Sequence, residues 1–365
     1  MRGVGFHARG VSEIFIRVTG TGYMSLPDLD FAYDEPDVGY GKVRLHFNEN
    51  LFLPEEYYKV VAPAVESWEL RYYTDPNNKR LAARIEAHHG LPQGSVVVTA
   101  GADEGLRLAM QLAAHIGRGL AVAEPTYGMA RVLARQVGLR PTVYAYRDDL
   151  TLDVDAVVKS GVGALYVCSP NNPTAHLVKE AEELVARFNG LIILDAAYAE
   201  YAGYWTPRLY EYGNVVEVRT FSKAWGLAGL RVGYVVARQK TAEALRVLSP
   251  PHPISAYSAK AVENALERGE PYVRRAVEET AEVREWVLRR IAGELYSGPV
   301  NFITVKMPDA EAAAAELDKM GFVVRVLGGK PLCQSCLRFT LAPQPVMEKF
   351  LNALKAASKN IKVAV

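Results

Sequence analysis

Short apolar runs alternate with helical patterns through the middle of the chain, and this alternation constrains the fold more than any other feature. Seven runs are rich in valine, isoleucine and leucine and are bounded by glycine, proline or polar residues: SVVVT (95–99), GLAVAEP (119–125), PTVYAY (141–146), GALYVCS (163–169), LIILDAA (191–197), NVVEVRT (214–220) and RVGYVVA (231–237). Such runs predict strands, and the amphipathic stretches between most of them predict helices. Alternating strands and helices indicate an α/β fold with a mostly parallel sheet between helices.

A proline-rich segment at 249–253 marks a change in this pattern. Three of its last four residues are prolines, which stop the preceding helix and are typical of a domain hinge. A long helical stretch at 257–293 follows, and after it come the elements of a smaller α+β domain. The sequence therefore predicts an N-terminal arm over 1–44, a large domain over 45–248 and a small domain over 249–365.

The composition argues against several classes of partner. The chain has 42 lysines and arginines against 41 acidic residues, so no net charge attracts nucleic acid or an anionic membrane. It contains no apolar run of about 18 residues, the length that spans a membrane, and its first residues lack the apolar core of a signal peptide. We expect a cytoplasmic protein that acts on small molecules.

The three cysteines cannot form a disulfide framework. Cys333 and Cys336 have C-x-x-C spacing, which also suits metal or redox chemistry. A zinc site would need two further ligands, and only Cys168 and scattered histidines remain. We expect structural or incidental roles for these cysteines and no metal, and whether Cys333 and Cys336 pair stays open.

Polar residues follow the predicted strands at the points where the strands end. Ligands of open parallel sheets bind beyond the carboxyl ends of the strands, so these side chains are candidates for one common site. They include an acid, an amide, aromatic residues, a hydroxyl and a lysine: Asp103, Tyr127, Asn172, Asp195, Tyr198, Ser222 and Lys223.

Lys223 and Asp195 are the candidates for chemistry. Lys223 directly follows an apolar strand, where desolvation lowers the pKa of an amine and makes it nucleophilic toward a carbonyl; the alternative is a solvated loop lysine. Asp195 ends a buried strand, where an acid needs a partner such as a protonated pyridine nitrogen; the alternative is a helix cap. Asn171 and Asn172 lie between two prolines, and an amide held rigidly there could donate to a phenolate oxygen; the alternative is an ordinary turn.

Other residues are candidates for binding anions. The backbone N–H groups of Ala102 and Asp103, at a predicted helix start, can bind phosphate, although Asp103 could equally cap the helix. Arg231 lies eight residues after the lysine and can turn back to a phosphate with two hydrogen bonds; the alternative is a surface salt bridge. Arg325 and Arg338 each interrupt an apolar run, where a charge needs an anionic partner; internal ion pairs are the alternative.

Together these residues resemble the fold-type I pyridoxal 5'-phosphate (PLP) aminotransferases, and most closely the histidinol-phosphate aminotransferase family. The matching segments occur in this order: NEN (48–50), YYTDP (72–76), GADEG (101–105), EPTYGM (124–129), CSPNNPT (168–174), DAAY (195–198), RTFSKAWGLAGLRVGY (219–234) and CLRFTL (336–341). The chain departs from the family pattern at Leu51, Thr74, Ala175 and Ala196.

The resemblance implies a role for each candidate around the cofactor ring. Lys223 would hold PLP as a Schiff base and later move the substrate's α-proton. Asp195 would pair with the pyridinium nitrogen and make the ring an electron sink. Tyr198 and Asn172 would bind the phenolic oxygen, and Tyr127 would stack on the ring. The protein would thus orient the cofactor, which carries the chemistry.

The resemblance also implies how the cofactor phosphate is held. Ser222, Arg231 and the backbone of Ala102 and Asp103 would contact it within one subunit. Tyr73 would reach the same phosphate from a second subunit, so a homodimer is expected.

For the substrate, the resemblance favours transamination between histidinol phosphate and 2-oxoglutarate. Arg338 would bind the α-carboxylate beside Asn172, and Arg325 is the candidate for the substrate's phosphate. An aminotransferase for aromatic or other amino acids and a threonine-phosphate decarboxylase are the alternatives. A PLP-fold binding module without catalysis is a third, against which the intact Lys223, Asp195 and Arg338 argue.

Overall fold

The structure is a computed structural model that describes residues 15–17, 23–25, 39–203, 211–358 and 362–363. The chain forms two units, Met1–Pro36 and Asp37–Val365. The first contains one antiparallel pair of short strands. The second contains every candidate site residue.

The secondary structure alternates as the sequence predicts. The strands are β1 (Phe15–Arg17), β2 (Tyr23–Ser25), β3 (Val43–Arg44), β4 (Val96–Thr99), β5 (Leu120–Glu124), β6 (Thr142–Ala145), β7 (Ala164–Cys168), β8 (Leu191–Asp195), β9 (Val215–Thr220), β10 (Gly233–Ala237), β11 (Ile291–Ala292), β12 (Leu295–Tyr296), β13 (Phe302–Lys306), β14 (Phe322–Val323), β15 (Arg325–Lys330), β16 (Cys333–Thr340) and β17 (Lys362–Val363). The helices are α1 (Glu55–Val61), α2 (Ser67–Arg71), α3 (Lys79–His89), α4 (Ala102–Ile116), α5 (Met129–Gln136), α6 (Val154–Lys159), α7 (Ala181–Arg187), α8 (Gln239–Leu248), α9 (Ala256–Asn264), α10 (Glu270–Leu288), α11 (Ala310–Lys319) and α12 (Gln344–Ala357).

A seven-stranded sheet forms the centre of the large predicted domain. Its order is β4-β10-β9-β8-β7-β5-β6, and β10 runs antiparallel to the other six strands, which are parallel to one another. Every residue of its strands is buried except in the edge strand β6. Burial on both faces explains why the strands are continuous apolar runs. The predicted α/β class is confirmed.

Alternate residues of each strand pack into two different cores. In β5, Leu120 and Val122 join the cluster of α4, α5 and α8. Ala121 and Ala123 face the opposite side and join the cluster of α6 and α7. The sheet is therefore the middle layer between two helical layers, as the period of two along a strand requires.

The C-terminal part contains a four-stranded antiparallel sheet, β12-β13-β16-β15, with α11 and α12. Two expectations are corrected here. The apolar run FVVRVL (322–327), which Arg325 interrupts and which predicts one strand, splits at Val324, because β14 pairs with β3 while β15 pairs with β16. The helix predicted at 257–293 comprises α9, a π-helical turn and α10, and it ends at Leu288. The domain boundaries themselves stay a prediction.

Two of the three cysteines are paired. Cys333 and Cys336 form a disulfide, and Cys168 is free and buried. Among the residues that the structure describes, no group of three or more histidine, cysteine or acidic residues could hold a metal ion. No described helix has both the length and the apolar composition needed to cross a membrane.

Gly233 of β10 packs tightly against the loop that starts α4. A Cβ atom at Gly233 would lie 2.5 Å from the carbonyl carbon of Gly101 and 2.7 Å from the nitrogen of Ala102. We expect Gly233→Ala to lower the free energy of unfolding by about 1–3 kcal/mol, as overpacking does, in urea denaturation. Gly229→Ala is the control, because its Cβ would meet no atom within 4 Å. Equal stability of the two variants would contradict this prediction.

Candidate active site

The candidate residues converge at one edge of the seven-stranded sheet. The parallel strands β4, β5, β7, β8 and β9 all end there. Because β10 is antiparallel, it begins at this edge, with Gly233 opposite Thr220. The loops that carry the acid, amide, hydroxyl and lysine therefore lie side by side, as the sequence predicted.

Lys223 lies half-buried at the end of β9. Its Nζ donates to the carbonyl oxygen of Phe47 at 2.7 Å and lies 5.9 Å from the centre of the Tyr198 ring. Burial lowers the pKa of the amine to about 8, and the nearby Arg338 lowers it further, while Asp103 acts in the opposite direction. The lysine can thus be neutral near physiological pH, as a nucleophile or a base must be.

Asp195 is a buried carboxylate, 3 % exposed, at the end of β8. It accepts hydrogen bonds from the Tyr166 hydroxyl at 2.9 Å and from the backbone N–H of Ala197 at 3.2 Å. Burial raises its pKa to about 6, against the effect of these two hydrogen bonds. Above that pH the site presents a buried negative charge that suits a cationic partner. The sequence analysis did not predict Tyr166 as a site residue, because it lies inside an apolar run that indicates a buried strand.

The segment that precedes α1 crosses the site and was missed as a functional element. The Asn48 amide donates to the Tyr198 hydroxyl at 2.8 Å. Arg338 donates to the Asn172 side-chain oxygen at 2.6 Å and to the carbonyl oxygen of His46 at 2.7 Å. In the sequence, only the resemblance of NEN (48–50) to the aminotransferase pattern could have indicated this segment. Its residues show no hydrophobic periodicity and lie far in sequence from the other candidates.

The two asparagines of the proline-flanked turn have different environments. The Asn171 amide donates to the carbonyl oxygen of Pro125 at 2.7 Å and to the Thr174 hydroxyl at 2.6 Å. Its oxygen accepts from the Thr126 hydroxyl at 2.8 Å. Asn171 therefore fixes the turn, and Asn172 meets the arginine of β16.

The start of α4 provides backbone donors. The first N–H groups of a helix have no partner inside it, and here they follow Gly101 at a φ of 82°. Asp103 does not cap the helix: one of its oxygens accepts from the Tyr127 hydroxyl at 3.1 Å, and the other lies 3.5 Å from Arg231.

Ser222 and Arg231 lie at this same helix start. The Ser222 hydroxyl is buried and has no hydrogen-bond partner among the described residues. Arg231 is not in the strand predicted to start there: β10 begins at Gly233, and Arg231 has a left-handed φ of 52° after a 3-10 turn. Its guanidinium lies over Gly101, where an added Cβ would be 2.7 Å from Nη2.

Arg325 and Tyr73 are the remaining two candidates. Arg325 and Arg338 are directly opposite each other in the β15–β16 pair, so their side chains leave the same face of the small sheet. Tyr73 is 86 % exposed and stacks on His252 with 4.7 Å between ring centres.

A family model described as "Aminotransferase class I and II" matches residues 40–354. The chain belongs to this family. It is a PLP-dependent aminotransferase of fold type I, as the resemblance implied.

The curated relatives of this aminotransferase include several histidinol-phosphate aminotransferases. That of Thermococcus gammatolerans is 31 % identical over 86 % of this chain and 91 % of its own length. Histidinol-phosphate aminotransferase 2 of Nitrosococcus oceani is 31 % identical over 81 % and 88 %.

Solved structures show the same likeness. Histidinol-phosphate aminotransferase from Sinorhizobium meliloti, in complex with PLP, is 26 % identical, with a TM-score of 0.76 over 87 % of this chain and 90 % of that one. L-threonine-O-3-phosphate decarboxylase from Porphyromonas gingivalis is 19 % identical, with a TM-score of 0.73 over 86 % and 98 %, and shares the fold.

The residues present fit PLP. A buried hydroxyl that has no partner in the described part of the chain, an arginine and a helix start lie together and suit a phosphate. The buried carboxylate of Asp195 suits a protonated ring nitrogen, and the amine of Lys223 suits an aldehyde.

The pKa of Lys223 can be measured in the apoprotein. We expect its reaction with an amine-directed reagent, followed by peptide mass spectrometry, to rise with a midpoint near pH 8. Arg338→Gln should move this midpoint upward, because removing a nearby positive charge stabilises the ammonium form. Arg231→Gln removes the same charge with a smaller effect on the amine and is the matched control. A midpoint at the ordinary value of 10.5, or a larger shift in the control, would contradict the prediction.

Proposed function

We propose that this aminotransferase transfers the amino group of histidinol phosphate to 2-oxoglutarate, giving imidazole acetol phosphate and glutamate. The reaction belongs to histidine biosynthesis in the cytoplasm. The names of the relatives support this donor, and the observation that carries the proposal is the pair of arginines on the small sheet.

Arg325 and Arg338 are like charges directly opposite each other on neighbouring strands. Their positive charges leave the same face of the sheet, where together they favour binding of an anion. Histidinol phosphate carries a phosphate and no carboxylate, whereas 2-oxoglutarate carries two carboxylates. Two adjacent arginines can serve both substrates in turn: Arg325 binds the donor's phosphate, and Arg338, beside Asn172, binds the acceptor's carboxylate.

The cofactor side of the proposal assigns each residue a contact. When bound, PLP supplies an electrophilic carbonyl and a ring that withdraws electrons from the substrate's α-carbon. Lys223 holds the cofactor and moves the proton at the α-carbon, which its lowered pKa allows near neutral pH. Asp195 keeps the ring nitrogen protonated, Tyr198 and Asn172 contact the phenolic oxygen, and Tyr127 stacks on the ring.

The phosphate of the cofactor binds at the start of α4. The Ser222 hydroxyl, the Arg231 guanidinium and the N–H groups of Ala102 and Asp103 hold it within one subunit. The helix dipole adds a favourable interaction with the negative charge.

The donor is tested by titrating the PLP-loaded protein with histidinol phosphate and with histidinol, followed by the visible absorption spectrum. We expect both amines to change the spectrum, and histidinol phosphate to bind more tightly. Arg325→Ala should weaken binding of histidinol phosphate about tenfold, as loss of a charged hydrogen bond does, and leave histidinol nearly unchanged.

Lys223→Ala is the control for the cofactor, because it removes the amine that PLP reacts with. A spectrum that ignores histidinol phosphate and responds to aromatic amino acids would replace the proposed donor. Carbon dioxide release from threonine phosphate without a keto acid would replace the reaction. Equal effects of Arg325→Ala on the two amines would remove Arg325 from the phosphate site.

We also propose that the active form is a homodimer in which Tyr73 contacts the partner's cofactor phosphate. Four large side chains within one short segment are more than half exposed: Trp68, Leu70, Tyr72 and Tyr73. An apolar group of this kind on a surface marks an interface. Tyr73 is 86 % exposed, so its hydroxyl can reach across such an interface, and the Ser222 hydroxyl has no partner among the residues that the structure describes.

Tyr73→Phe should raise the dissociation constant of PLP about tenfold, because one hydrogen bond to a charged phosphate is lost. Tyr72→Phe is the matched control, since it removes a neighbouring exposed hydroxyl and should leave PLP binding unchanged. Sedimentation should show a dimer for both variants. A monomeric native protein, or equal PLP affinity in the two variants, would contradict the proposal.

A further inference from the structure

Arg219 is completely buried in β9 and holds two ion pairs. Its Nη2 lies 2.7 Å from Oε1 of Glu200, and its Nη1 lies 3.3 Å from Oε1 of Glu217. All three side chains are inaccessible to solvent or nearly so. Removing one partner of such a group leaves a buried charge uncompensated, so the arrangement strongly restricts the chain around it.

The two carboxylates connect different parts of the chain. Glu217 lies two residues before Arg219 in the same strand, so this ion pair stays inside β9. Glu200 lies in the 3-10 turn Ala199–Ala202, which begins directly after Tyr198. Only the ion pair of Glu200 joins two separate segments. One segment leads from Asp195 through Tyr198, and the other runs from β9 into the loop of the site lysine.

Backbone pairing does not hold the first of these segments by itself. The ladder between β8 and β9 ends where the N–H of Ala196 donates to the carbonyl oxygen of Val218 at 2.9 Å. Beyond it, the described backbone hydrogen bonds of the turn join residues between Ala196 and Gly203 to one another, such as the one from Tyr201 N–H to the Tyr198 carbonyl. The Glu200–Arg219 pair joins the turn to β9.

We propose that Glu200 and Arg219 are positioning residues, whose ion pair holds the turn after Tyr198 against the strand before Lys223 and thereby sets the spacing of these two side chains across the cofactor site. That spacing is 5.9 Å between Nζ of Lys223 and the centre of the Tyr198 ring. The inference rests on the cofactor site and holds for any amino donor, so it does not depend on histidinol phosphate.

Two substitutions of Glu200 separate geometry from charge. Glu200→Gln keeps the reach of the side chain and an oxygen that accepts from Arg219, but removes the charge. Glu200→Asp keeps the charge and shortens the reach by one methylene. If the role is positioning, Glu200→Asp should raise the dissociation constant of PLP about tenfold in titrations of the apoprotein. This is a modest part of what breaking a buried ion pair costs. Glu200→Gln should raise the dissociation constant less.

Glu217→Gln is the matched control, because it removes a buried carboxylate from the same arginine without touching the connection between the segments. It should leave the dissociation constant of PLP unchanged. The thermal midpoint of each apoprotein is recorded alongside, to separate binding from stability. The proposal is overturned if Glu200→Gln or Glu217→Gln weakens PLP binding as much as Glu200→Asp does. It is also overturned if Glu200→Asp lowers the thermal midpoint without changing PLP affinity.

Discussion

The site depends on the parallel pairing of β7, β8 and β9. Cys168 is opposite Asp195, and Asp195 is opposite Val218, so the acid and the loop of the lysine leave the sheet at the same edge. A shift of one residue in either pairing would turn Asp195 to the other face. The antiparallel β10 fits the same arrangement, because an antiparallel strand starts where its parallel neighbours end, and it delivers Arg231 to that edge.

The second requirement is the contact between this edge and the C-terminal sheet. Residues 46–50 provide it: Asn48 reaches Tyr198, and its carbonyl oxygen accepts from Asn301 at 3.0 Å. Arg338 reaches across to Asn172. The cofactor and substrate contacts that we propose therefore share residues, and movement of one sheet relative to the other would alter both.

Burial brings the pKa values of the two central ionisable groups closer together. It raises the pKa of Asp195 to about 6 and lowers that of Lys223 to about 8, because a low-dielectric site disfavours either charge. Between these values the acid is ionised, and the lysine is close enough to its pKa to give and accept a proton. Paired shifts of this kind are typical of sites that carry out acid–base chemistry near neutral pH.

The sequence by itself determined the fold class, the strands of the large sheet and the set of residues at its edge. It could do so because strands buried on both faces are continuous apolar runs, and because polar residues that end such runs must lie at the same edge of a parallel sheet. The tertiary structure alone decided that β10 is antiparallel and that the run at 322–327 divides between two sheets. It also decided that Tyr166 and Asn48 contact site residues and that Glu200 contacts Arg219. These contacts join residues far apart in the chain, and they depend on strand order and register, which hydrophobic periodicity does not encode.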